Sequence, residues 1–280
     1  IIKKLVMGAA KIHGDVQGVV ITVPANFSQE ARSATMEAGK MAGVEVEHII
    51  NEPTAAALHF ATAHSVSGTV MIYDLGGGTF DVTIAKVEDQ EVECLATKGD
   101  RKLGGVDFDE ALLKILEAGY KDGTGSDLLP AGDDAKRNQV LEQACALKHT
   151  LSKRSKGRCQ IVGPDGAHTV EVSREEFEEA ISTYLAKTEL CIEGVLAELD
   201  MEVGDINDIL LVGGSTRVPA VNESLRKMFG KDPITSVNPD EAVSLGAAIY
   251  AGLHIDQSQL NQALQEQLNK GKVSNVAGMC

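Results

Sequence analysis

The stretch YDLGGGTFDVTIAKV, from Tyr73 to Val87, narrows what this chain can fold into more than any other. Two apolar segments, TVMIYDL and FDVTIAKV, flank three consecutive glycines. Both segments have strand length and are rich in β-branched and aromatic residues. Glycine admits backbone conformations that other residues avoid. Two strands joined by a tight glycine turn are therefore expected, with an aspartate on each side of the turn.

The rest of the chain alternates strands with helices. GVVITVP and VEVEHII read as strands, separated by a helix that Ser28 caps and Gly43 stops. EPTAAALHFATAH reads as a helix with Pro53 near its first position. EVECLAT reads as a further strand, and helices are expected near 106–120 and 136–153. GRCQIVGPDGAHTVEV predicts a hairpin turning at PDG. The long helix beginning SREEFEEA opens on a capping box, Ser173 with Glu176. DILLVGG then reads as a strand, RVPAVNESLRKMF as a helix, and NPDEAVSLGAAIYAGL as a helix opened by Asn238 and Pro239. Such alternation predicts an α/β fold on a mixed sheet. The mostly helical segment of about 106–200 reads as a subdomain.

Composition excludes several classes. A net charge of -15 argues against a broad nucleic-acid surface. No apolar run reaches the roughly 18 residues of a membrane span, and IIKKLVMGAAKIHG lacks a signal-peptide pattern. The 5 cysteines form no CxxC pair, which predicts reduced thiols and a cytoplasmic setting. The histidines form no HExxH, so no zinc site is expected.

The glycines carry the chemistry. Several backbone N–H groups can converge on a phosphate only where side chains do not obstruct them. The P-loop pattern is absent, so a phosphate would sit on a turn between strands. Carboxylates repel phosphate unless a divalent cation stands between them, usually through water. Asp74 and Asp81 thus suggest Mg²⁺ and a nucleoside triphosphate, with Thr79 able to bond a phosphate or water. The same letters also fit an ordinary glycine-rich hairpin. Gly213, Gly214 and Ser215 follow a strand and offer N–H groups at a helix start, and Arg217 could lie flat on a base. A plain strand-to-helix turn is the competing reading there. KLGGVDFDEAL repeats the pattern at Gly104 and Gly105.

Taken together, IINEPTAAAL, YDLGGGTFDVTIAKV, KLGGVDFD, LLVGGSTRVPAV and VNPDEAVSLGAAIYAG resemble the nucleotide-binding domain of the seventy-kilodalton heat-shock (DnaK-type) chaperones. The resemblance covers about residues 1–254. It implies an actin-like ATPase fold, with ATP or ADP, Mg²⁺ and K⁺ as ligands, and roles in protein folding and the stress response. Residues 1–70 would be a remnant of the first lobe and 71–254 the second lobe. Glu52 and Asp74 would hold waters around Mg²⁺. Asp81 and Thr79 would orient the attacking water. Gly76, Gly77, Gly78 and Thr79 would wrap the phosphates. Gly105, Gly213, Gly214 and Ser215 would line the nucleoside, Arg217 would stack on adenine, and Asp240 would stand near base and ribose. Pro24 and Arg32 match positions that relay nucleotide state. Co-chaperones and nucleotide-exchange factors are implied as partners, and unfolded proteins only through a substrate domain not seen in this sequence.

The sequence departs from the family pattern in three places. On LEQACALKHTLSKR the family places a glutamate, lysine, arginine and serine against the nucleoside. Cys145, Lys148, His149 and Ser152 stand there, on one helical stripe. Lys148 and Ser152 are expected to reach the ribose and His149 to stack on adenine, whereas Cys145 cannot replace a carboxylate. Packing beneath the subdomain is the competing reading for His149 and Cys145. The family's first glycine hairpin and a later phosphate-contacting lysine are also not found. A piece of a longer product is expected, an ATPase when complete but with little hydrolysis on its own. A non-hydrolysing scaffold or regulatory partner is the alternative. Last, Leu260, Leu264 and Leu268 predict a tail helix over 255–280, with packing on the domain favoured over partner binding.

Overall fold

The computed structural model describes residues 1–254, except 15, 17, 65, 66, 89, 90, 131, 236 and 237. The expected tail helix lies outside the described residues.

Helix α1 (Ile2–His13) leads into strand β1 (Gly18–Val23). Helix α2 (Gln29–Met41) crosses from β1 to strand β2 (Glu45–Asn51), and the two strands pair in parallel, as a crossover connection requires. Ser28 caps α2, its Oγ accepting from the Ala31 N–H at 3.3 Å. Helix α3 (Glu52–His64) starts where β2 stops.

Strands β3 (Gly68–Leu75), β4 (Phe80–Glu88) and β5 (Glu91–Asp100) form an antiparallel meander. GGGT is the β3–β4 turn, as the sequence predicts. Strand β8 (Asp208–Val212) adds to β3 in parallel, giving the order β5-β4-β3-β8. This is the expected mixed sheet. Between β5 and β8 lie helix α4 (Gly105–Thr124), helix α5 (Asp134–Leu151), the hairpin of strand β6 (Lys156–Gly163) with strand β7 (Gly166–Ser173), and helix α6 (Arg174–Glu198). The capping box of α6 forms: the Ser173 N–H donates to Glu176 Oε2 at 2.7 Å, and the Glu176 N–H to Ser173 Oγ at 3.2 Å.

Helices α7 (Pro219–Phe229) and α8 (Ala242–His254) complete the described chain. Two sequence expectations shift here. A short 3₁₀ turn, Gly214–Arg217, intervenes before α7, so the second glycine pair does not open an α-helix. Asn238 caps α8 from outside, its carbonyl accepting from the Glu241 and Ala242 N–H groups, and the helix itself begins at Ala242.

Side-chain alternation divides the sheet's two faces. Met71, Tyr73 and Leu75 of β3, with Phe80, Val82 and Ile84 of β4, enter the larger core beside α4–α7. Val70 and Ile72, with Ala85, Val87, Leu210 and Val212, enter a second core with Ala56, Ala57 and Phe60 of α3. Asp74 and Asp81 share the parity of this second face and stand opposite each other at its hairpin end. Helix α8 lies across α3 at Gly246, where a Cβ would overlap the Ala55 carbonyl.

Candidate functional site

The turn is built to keep its backbone bare. The Gly76 N–H donates to Thr79 O at 3.1 Å, and Gly77, Gly78 and Thr79 are exposed. The strand-to-helix loop at Gly104 and Gly105 braces it from behind. Gly105 and Val106 donate N–H groups to Gly76 O and Gly77 O at 2.9 and 2.8 Å, and Ser215 Oγ donates to Gly76 O at 2.8 Å. A Cβ on Gly104 would overlap the Gly77–Gly78 peptide. Three glycine segments therefore meet at one place, which their separation in sequence conceals.

On one side of the turn lies an acidic recess. Pro24, Glu52, Asp74 and Asp81 line it, together with Ala25, Pro53, Ile72 and Thr83. Strand register brings the aspartates together, and the packing of α3 on that face brings Glu52 to them. Burial, reinforced by the carboxylates of Glu52 and Asp81, pushes Asp74 up to about 7. Burial pushes Asp81 up to about 6 against the opposing charge of Arg101. Glu52 is raised too, by burial and then by Asp81. Asn26 Nδ2 donates to Asp81 Oδ1 at 3.2 Å. Such mutual repulsion is relieved by a cation, so these groups fit Mg²⁺. Among the described residues no group of three or more His, Cys, Asp or Glu is set to hold a metal ion.

On the other side lies a cavity of about 890 Å³. Gly77, Lys148, His149, Ser152, Gly214, Ser215, Arg217 and Asp240 all line it, with Lys153, Asn222 and Asn238. Asp240 is its one acidic lining residue, an unusual balance in a chain of net charge -15. His149 and Arg217 open onto the same space.

Several expected contacts differ. The Lys148 ammonium does not point to open solvent: it is buried, donates to Gly105 O at 2.9 Å and meets Asp109 Oδ1 at 2.8 Å. Burial favours this because a partnered ammonium is far cheaper to desolvate than a lone one. Ser152 Oγ donates back to Lys148 O at 2.9 Å, closing its own helix. Cys145, Gly105 and Gly213 do not line the cavity. Gly105 is buried behind the turn, and Gly213, at φ 85°, packs where a Cβ would overlap Leu75 O. Arg217 donates to Asn238 Oδ1 at 2.6 Å and to Asp240 Oδ2 at 2.7 Å, so it is held in place across the cavity rim. Arg32 donates to Asn51 Oδ1 at 2.6 Å and to Ala25 O and Phe27 O at 3.3 Å, tying the loop after β1 to the end of β2. Sequence reasoning missed Asp109, whose role depends on the distant Lys148, and Arg101, which lies outside the motifs. Cys94, Cys145, Cys159 and Cys191 are free thiols. Among the described residues no helix is long and apolar enough to cross a membrane.

The family model described as Hsp70 protein matches residues 1–266. A stromal 70 kDa heat shock-related protein of the Pisum sativum chloroplast is 42% identical over 260 residues, covering 90% of this chain and 36% of the pea protein. The chloroplastic heat shock 70 kDa protein 6 of Arabidopsis thaliana is also 42% identical, with the same coverage. A chaperone protein dnaK of Trieres chinensis is 41% identical over 261 residues, covering 90% of this chain and 42% of the relative. The chain thus spans roughly two fifths of the length of these relatives. The cytoplasmic setting expected from the thiols is corrected by the relatives' names, several of which are chloroplastic. Unpaired cysteines do not distinguish one reducing compartment from another. With its mixed sheet, its braced glycine turn and a match over nearly its whole length, the chain belongs to the Hsp70 family and carries the nucleotide-binding, actin-like fold of those chaperones.

Proposed function

We propose that this chain binds ATP and ADP across the glycine turn and belongs to the ATP-hydrolysing domain of a chaperone acting on unfolded proteins with co-chaperones and exchange factors. One observation carries the reading: a bare-backbone turn separates a basic cavity from three clustered carboxylates. The nucleoside would occupy the cavity between His149 and Arg217, with Gly214, Ser215 and Asp240 at its wall. The phosphates would lie along Gly76–Thr79. Mg²⁺ held through water by Glu52 and Asp74 would supply charge neutralisation. Asp81, raised toward neutrality, is suited to take the proton of the attacking water while Thr79 orients it. Residues 1–70 would belong to the first lobe and 71–254 to the second, with α3 and α8 at their seam. The stroma of a plastid is the compartment that the relatives' names favour.

Calorimetric titration with Mg²⁺-ATP and Mg²⁺-ADP tests binding, and phosphate release tests turnover in the chain and in the complete protein. Asp81→Asn and Thr79→Ala should each lower turnover of the complete protein by roughly 10²–10³ while nucleotide affinity holds. Unchanged turnover in both variants would remove these residues from catalysis. The burial of Lys148 favours a second reading, a scaffold that binds nucleotide without hydrolysis. Tight binding with no phosphate release from the complete protein would select it.

A further inference from the structure

We propose that Arg101 is a phosphate-neutralising residue of this site, reaching the terminal phosphate of a bound nucleoside triphosphate from the loop after β5. The inference rests on the nucleotide reading above and assigns it a cation from this chain.

Strand β5 runs antiparallel to β4, with Gly99 opposite Asp81 and Asp100 opposite Phe80. Arg101 is the first residue after β5, so it leaves the sheet at the hairpin end that carries Asp81. Lys102 is turned by its own N–H, which donates to Asp100 Oδ1 at 2.8 Å. Gly99 clears the way, since a Cβ there would overlap Phe80 O and crowd Asp81 Oδ1. From Arg101 the chain passes directly to Gly104 and Gly105, which brace the glycine turn. The loop thus begins beside Asp81 and ends behind Gly77.

The charge pattern points the same way. Glu52, Asp74 and Asp81 crowd one recess, and Arg101 is the cation whose charge bears on Asp81. Among the described residues Arg101 is exposed and makes no hydrogen bond or ion pair. Arg217, by contrast, is committed to Asn238 and Asp240, and Lys148 to Asp109. A guanidinium presents paired N–H donors that match two phosphate oxygens, which an ammonium cannot do. An arginine with no partner, on the loop that joins the Asp81 end of β5 to the glycines bracing the turn, has the chemistry for the triphosphate's outermost charge. An exposed arginine serving only solubility is the alternative to exclude.

The test compares ATP, ADP and adenosine binding to the whole chain and to Arg101→Ala and Arg101→Lys, with Mg²⁺ present. Circular dichroism confirms folding, which an exposed loop residue should not disturb. Loss of a charge-assisted bond predicts that Arg101→Ala weakens ATP about tenfold or more, leaving ADP and adenosine within about twofold. Inorganic tripolyphosphate should compete with ATP for the parent chain and about tenfold less well for Arg101→Ala. Arg101→Lys should recover part of the loss. Equal ATP preference in parent and Arg101→Ala overturns the inference and leaves the nucleotide reading intact. A parent chain that binds none of the three ligands overturns both.

Discussion

Glu52, Asp74 and Asp81 show how single residues carry both a site and a cost. Like charges directly opposite on paired strands destabilise a sheet. Because Asp74 is raised to about 7 and Asp81 to about 6, the folded state holds protons more tightly than the unfolded chain. Their contribution to stability is therefore full below about pH 4 and is lost as pH rises through about 6 to 7. With chelator present, Asp74→Asn should flatten that loss and raise the melting temperature at pH 8. Melting curves at pH 5 and pH 8 check it, and an unchanged difference between them would refute the upward shift that burial, with the neighbouring carboxylates, gives Asp74. Mg²⁺ should narrow the difference in the parent protein. Lys148 and Asp109 give a second residue-scale prediction. Lys148→Met leaves a buried carboxylate unpaired and should cost about 3 kcal/mol in urea unfolding. Adding Asp109→Leu should recover most of it, whereas a cost that persists in the double variant would mean that Lys148 acts through packing alone. The aspartates were legible in the sequence because strand parity and the glycine turn place them. The fate of Lys148 was not, because a helical stripe names a face but not the partner that meets it.

At the scale of elements, local chemistry read well where it is local. The Ser28 cap, the Ser173–Glu176 capping box and the turn at PDG need only neighbours within a few residues, and all form. The start of α7 was misplaced because strand-then-glycine patterns do not distinguish a 3₁₀ turn from the first turn of an α-helix. The bracing of the turn by Gly104 depends on an approach between segments about 25 residues apart, beyond any local rule. Gly104→Ala should push the loop off the turn. Stability should fall by about 1–3 kcal/mol as for other overpacking changes, and ATP affinity should fall with it. Retention of full affinity in a folded Gly104→Ala protein would show that the turn holds its shape unaided.

Across the whole molecule, one sheet separates two apolar cores, and the near-continuous apolar runs of β3 and β4 suit strands buried on both faces. The helices and the hairpin between β5 and β8 were legible from their local patterns, but not the way α6 reaches back to the sheet, where Tyr73 OH donates to Thr188 Oγ1 at 3.0 Å. Protection should follow burial. Amides of β3 and β4 should exchange slowest under native conditions, and those of α1, which has no buried residue, fastest. Hydrogen exchange read by mass spectrometry checks the ranking, and equal rates in the two regions would contradict it.

The crossing of α3 and α8 at Gly246 has a mechanical consequence. The two helices meet backbone to backbone at Ala55, one turn from Glu52. No side chain cushions the contact, so it behaves as a pivot without slack. A tilt imposed on α8 is passed to the end of α3 that carries a carboxylate of the acidic recess. Gly246→Ala would insert a shim into that pivot, and its signature should be a displaced Glu52 although no residue of the recess has been replaced.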